Sequence, residues 1–89
     1  MSKKERFIYK DIYGYTGDLV FIYTKHAIEK MDALGIEKRD IEGAVKEGMK
    51  WKEKDSEKWH AQMAGIEVVF VKQNKDLFII TAYLAGRSK

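Results

Sequence analysis

The 89-residue sequence contains no cysteine and no proline. The first absence excludes a disulfide frame, a thiolate metal site and a thiol nucleophile. The second means that every turn is made by Gly, Asn, Asp or Ser. Amide side chains are scarce too, with only Gln62, Gln73 and Asn74. No apolar run approaches the roughly 18 residues of a membrane span. The opening Met-Ser-Lys-Lys-Glu-Arg leads into no apolar segment, so no signal peptide is expected. There is no phosphate-cradling Gly-rich loop and no Gly-x-Ser-x-Gly elbow. The expectation is a cytoplasmic protein without membrane contact.

What is present reads as one folded domain. The chain is 45% hydrophobic, 12% aromatic and 35% charged, which excludes a disordered segment. At this length about 60–65% of the unfolded surface is buried, enough for a single core. The net charge of +3 is uneven. Residues 1–10 hold four bases against one acid, and residues 84–89 add two bases. Residues 11–83 hold eleven bases against thirteen acids. The two basic ends either meet as one phosphate-facing patch or act as solubilising tails.

Residues 1–18 form a Tyr-rich arm or edge strand, with Tyr9, Tyr13 and Tyr15 at alternating positions. Residues 19–89 form a single α+β domain. Leu19-Val20-Phe21-Ile22-Tyr23 reads as a short buried strand. Thr24 is an N-cap for a helix over 25–34, with an apolar stripe at Ala27, Ile28, Met31 and Leu34. Gly35 ends it, and Ile36 supplies the accompanying apolar contact. A second helix over 38–49 has its stripe at Ile41, Ala44, Val45 and Met49.

From Lys50 the pattern becomes strands. A loop at Asp55-Ser56 sets Glu53 against Lys58 and Lys54 against Glu57. A slip would set like charges together, so the first register is preferred. It places Trp51 opposite His60. Turns at Ala64-Gly65 and Asn74-Lys75 then align Trp51, His60, Val69 and Ile80 in one row. Trp59, Phe70 and Ile79 form a row on the other face. In the last strand, Phe78, Ile80, Ala82 and Leu84 fall on one face and Leu77, Ile79, Thr81 and Tyr83 on the other. The expected architecture is two short helices packed on one face of a four- to five-stranded antiparallel sheet.

The tract Thr24, His26-Ala27, Lys30-Met31, Gly35-Ile36, Asp40-Ile41-Glu42, Gly48 and Thr81-Ala82-Tyr83 resembles the domain-of-unknown-function family 4258, within the RelE/BrnT-like toxin fold group. The resemblance covers roughly residues 19–86. It implies a RelE-like fold and either a metal-independent RNA-cleaving toxin or an inactive relative that binds. A nuclease of that kind needs a base for the 2′-hydroxyl, a cation for the phosphate and an acid for the leaving oxygen. The implied partners are RNA, a cognate antitoxin-like protein or a second copy in a homodimer.

His26, in a helix's first turn, is the candidate base, and Lys30 four residues on is a candidate phosphate contact. Otherwise His26 simply packs against the sheet. Thr81 and Tyr83 share a strand face and assist catalysis, or serve as a β-former and a core-edge aromatic. Arg87 clamps a phosphate or belongs to a frayed end. Trp51 and His60 are candidate stacking groups, or an edge-strand aromatic pair. The exposed-aromatic excess suits a homodimer that buries the Tyr arm. Two histidines on separate elements make no metal spacing, so neither metal nor cofactor is expected.

Overall fold

The computed structural model describes residues 19–85. The Tyr-rich arm assigned to 1–18, and Arg87, lie outside those residues. The chain runs β1 (Val20–Tyr23), α1 (Lys25–Leu34), α2 (Lys38–Glu47), β2 (Met49–Lys52), β3 (Lys58–Met63), β4 (Ile66–Gln73) and β5 (Asp76–Leu84). Five strands form one sheet in the order β1-β5-β4-β3-β2. The class is α+β, as expected.

The sheet is mixed, however, and not wholly antiparallel. β1 pairs in parallel with β5, Tyr23 opposite Ile79. The helical pair and the four-strand meander return the chain to β1 travelling in the direction it left. No local pattern in Val20–Tyr23 encodes that partner.

The helices begin and end for local reasons. Thr24 accepts a hydrogen bond from the Ala27 N–H at 3.1 Å, capping α1. Gly35 ends α1 at φ 72°, in the left-handed region that favours glycine. Its N–H donates to the Met31 carbonyl, and Ile36 folds back into the core at 5% exposure. At the start of α2 the Asp40 carboxylate accepts from the Glu37 N–H at 2.9 Å. α2 stops at Gly48, where a Cβ would lie 2.5 Å from the Gln62 carbonyl oxygen. This stop leaves Met49 outside the helix and 58% exposed, and not on the apolar stripe expected for it.

The core lies between the helices and one face of the sheet. Ala27 and Met31 from α1 and Ile41, Ala44 and Val45 from α2 bury Ala61, Val68, Phe70, Leu77, Ile79 and Ala82. α1 packs on β5, and α2 packs on β3 and β4.

Trp51–His60–Val69 and Trp59–Phe70–Ile79 pair as the turn arithmetic requires. The row does not continue to Ile80. Val69 pairs with Thr81 while Phe70 pairs with Ile79, so Ile80 is one extra residue in β5. This bulge switches the alternation of the strand. Leu77, Ile79 and Ala82 face the helices, and Phe78, Thr81 and Tyr83 face the other way. The bulge is held from the helix side: the Thr24 hydroxyl lies 3.0 Å from the Ile79 carbonyl oxygen and 3.1 Å from that of Ile80.

Candidate functional site

The sheet face opposite the helices carries a polar cluster built across β3, β4 and β5. Its centre is His60, flanked diagonally on both sides. Gln62 pairs with Glu67, so Glu67 lies one diagonal step from His60 on the neighbouring strand. Glu53, just past β2, lies a diagonal step the other way, its N–H donating to the Lys58 carbonyl. Diagonal neighbours on a strand pair are within reach of long side chains. The outcome is a histidine between two carboxylates. His60 Nδ1 is 2.7 Å from Glu67 Oε2, and His60 Nε2 is 2.7 Å from Glu53 Oε2. Both contacts are N–H donations only when the ring carries both protons.

Glu67 is the anchored member. The Tyr83 hydroxyl donates to its Oε2 at 2.7 Å, and the Gln62 amide donates to its Oε1 at 3.1 Å. Tyr83 reaches it because the Ile80 bulge sets Tyr83 opposite Glu67. Without the extra residue Ala82 would take that place. Burial works to raise the Glu67 pKa, but the hydrogen bonds from Tyr83, His60 and Gln62 prevail and hold it below the ordinary carboxylate value. The bond to Glu67, then burial and the negative charges of Glu67 and Glu53, push the Tyr83 phenol up to about 12. Tyr83 is therefore a committed donor at neutral pH.

Glu53 is the looser member. Its side chain is 40% exposed, against 12% for Glu67 and 13% for His60. The hydrogen bond to His60 lowers its pKa against a smaller desolvation effect, with the Lys58 ammonium and the Ser56 hydroxyl adding to the lowering. Over the cluster, the Trp51 ring stacks on His60 with centroids 5.2 Å apart and planes 7° from parallel. Trp51 and His60 thus stack on each other.

The fold does not bring together all the residues singled out from the sequence. His26 is exposed on the first turn of α1, and Lys30 is half-buried one turn on. Both stand on the helix side of the sheet. Thr81 and Tyr83 point from the opposite face, with His60 and Trp51. Glu53 and Glu67 were missed. The available signal was Glu67 itself, a lone acid inside the apolar tract Ile66–Val71. Among the described residues no group of three or more His, Cys, Asp or Glu has a metal-holding arrangement. No helix there is long and apolar enough to cross a membrane.

A small α+β domain with a histidine–carboxylate cluster on the sheet face opposite its helices is the class that these features define. The sequence pattern of the family described as Domain of unknown function (DUF4258) matches residues 23–84, and the chain belongs to that family. Compared with curated proteins and with solved structures, the chain finds no match.

Proposed function

We propose that this chain is a small RNA-cleaving domain of the RelE/BrnT-like toxin type, working by proton transfer from the sheet face opposite the helices. The observation that carries the reading is the Glu67–His60 pair at 2.7 Å, with Tyr83 and Gln62 holding Glu67 in place. A carboxylate on Nδ1 fixes the tautomer and aims Nε2 outward, the arrangement that makes a histidine a directed base. Once Glu53 swings aside and the Nε2 proton passes to solvent, the neutral ring, still donating from Nδ1 to Glu67, takes the proton of a ribose 2′-hydroxyl at Nε2. The 2′-oxygen–phosphorus bond forms as the phosphorus–5′-oxygen bond breaks, and solvent protonates the leaving oxygen. Tyr83 acts as a positioning residue, because its proton is engaged with Glu67. Trp51 keeps the imidazole plane fixed by stacking.

The test is cleavage of single-stranded RNA in EDTA, read as 2′,3′-cyclic phosphate ends. The expected result is cleavage by the native chain and a loss of at least about a hundredfold in His60→Gln. Absence of cleavage, or cleavage undiminished in His60→Gln, overturns the proposal. Loss in His26→Ala with retention in His60→Gln would move the centre to the helix side.

A second reading rests on the closure of the cluster, whose Glu67 accepts three donors while both His60 nitrogens are engaged. On that reading the chain is a catalytically inactive module that binds a protein or nucleic-acid partner, or a second copy. Sedimentation of the full chain as a dimer that dissociates without residues 1–18 supports it; a monomer opposes it.

A further inference from the structure

The two carboxylates on His60 are unequal, and the inequality has a use. Glu67 is set in a central strand and held by three donors. Glu53 sits where β2 gives way to the hairpin loop, with the more exposed side chain of the two. The groups around the Glu53 carboxylate are donors: His60 Nε2 at 2.7 Å, the Ser56 hydroxyl, and the Lys58 ammonium, which shares the His60 face of β3. All belong to the segment 53–60, so the loop itself gathers them. Such a set is suited to an oxyanion, which accepts several short charge-assisted hydrogen bonds.

We propose that the Glu53 carboxylate is a built-in occupant of an anion site formed by His60 Nε2, Ser56 and Lys58, and that the site's ligand is a phosphate oxygen that displaces it. Binding uses the ring with Nε2 protonated, the form that His60 also takes after accepting the 2′-hydroxyl proton; that catalytic use rests on the Glu67–His60 reading above, and the binding does not. Displacement exchanges one anion for another on the same donors, so no charge is stranded. The Trp51 ring, stacked on His60, keeps the imidazole aimed at the exchanged atom. The phosphate comes from a free ion or from a diester in a nucleic-acid chain, and both present the same oxygens.

The experiment measures binding by calorimetry, with the ring nitrogens of His60 followed by NMR, on the full chain. Two probes are used: inorganic phosphate, and a 2′-O-methylated RNA oligomer that does not react. Four proteins are compared: native, Glu53→Gln, Glu53→Ala and Glu53→Ala with His60→Gln. The two single variants are expected to bind at least one probe about ten- to a hundredfold more tightly than the native chain, the value of a freed charged hydrogen-bond site. The His60→Gln addition is expected to abolish the gain, and the Nε2 resonance to shift only where binding occurs. Tightening with both probes identifies any phosphate as ligand, and tightening with the oligomer alone identifies the diester chain. Unchanged affinity in both single variants overturns the proposal, as does a gain that survives His60→Gln. Glu53→Gln, nearly the same shape as the native residue, keeps the test decisive if Glu53→Ala folds poorly. Tight phosphate binding without RNA cleavage would leave the anion site standing while the nuclease reading falls.

Discussion

The Thr24 hydroxyl bonds to the Ile80 carbonyl oxygen across 56 positions of sequence, at 3.1 Å. The Thr24 hydroxyl oxygen also caps α1 by accepting from the Ala27 N–H. One side chain thus joins the start of a helix to the bulge that decides which β5 residues face the polar cluster. Thr24→Val keeps the shape and removes both functions. The expected loss is about 1–2 kcal/mol by urea unfolding, with Thr24→Ser near native.

Two tyrosines with the same displaced pKa predict opposite mutational outcomes. Burial, aided by Glu42, pushes the Tyr23 hydroxyl up to about 12, and it is buried with no partner among the described residues. Tyr83 reaches about 12 first through its bond to Glu67. Tyr23→Phe is therefore expected to be neutral or stabilising by up to about 1 kcal/mol, since it removes an unsatisfied group. Tyr83→Phe is expected to cost about 1–2 kcal/mol, since it takes a donor from a carboxylate. Chemical denaturation of both variants is the check.

The same shifts set the alkaline limb of stability. A phenol whose folded pKa is raised binds its proton more tightly in the native state. Its contribution is complete below the unfolded value of about 10 and is lost as pH rises through about 12. Absorbance titration at about 295 nm should show these phenols ionising late. In Tyr83→Phe the fall in stability across that window should be shallower.

On the acid side the sign reverses. Glu67 and Glu53 have folded pKa values below their ordinary one, so their contribution is present above about 4.3 and lost as pH falls through the folded values. Glu67→Gln is expected to be less stable than the native chain at pH 7 by about 1.5–3 kcal/mol. The gap should close in acid. A gap independent of pH would show that the cluster is not held by ionised Glu67.

Backbone constraints supply a further pair. Gly48→Ala drives a Cβ to 2.5 Å from the Gln62 oxygen and 2.6 Å from the Ala44 oxygen, both main-chain atoms. The expected cost is about 1–3 kcal/mol. Ala64 sits at φ 53° at the tip of the β3–β4 hairpin, a conformation that Asn adopts more readily. Ala64→Asn is expected to raise stability by about 0.5–1 kcal/mol, read from the unfolding midpoint.

Much of the architecture was legible because its causes are local. A threonine before an apolar stripe and a glycine after it bound α1, since caps act on adjacent backbone groups. Charge pairing across the Lys50–Lys58 hairpin correctly opposed Trp51 and His60, since facing side chains on neighbouring strands interact directly. The candidate site was less legible. Trp51 and His60 are legible as a facing pair, but no local pattern joins them to Tyr83 or Glu67, and grouping His26 with Tyr83 sets together residues that the sheet separates.

The chain's order of residues determined its helices, the registers of its first two hairpins and its class, because each depends on neighbours within a few positions or one turn. Only the tertiary structure decided that β1 lies parallel to β5, that Ile80 bulges, and that Tyr83 therefore meets Glu67. The bulge is met by a hydroxyl from the far end of the domain, and a period-two pattern cannot announce a residue that breaks the period. The joining of Glu53, His60, Glu67 and Tyr83 is a property of stacked strands, visible only once all the registers hold together.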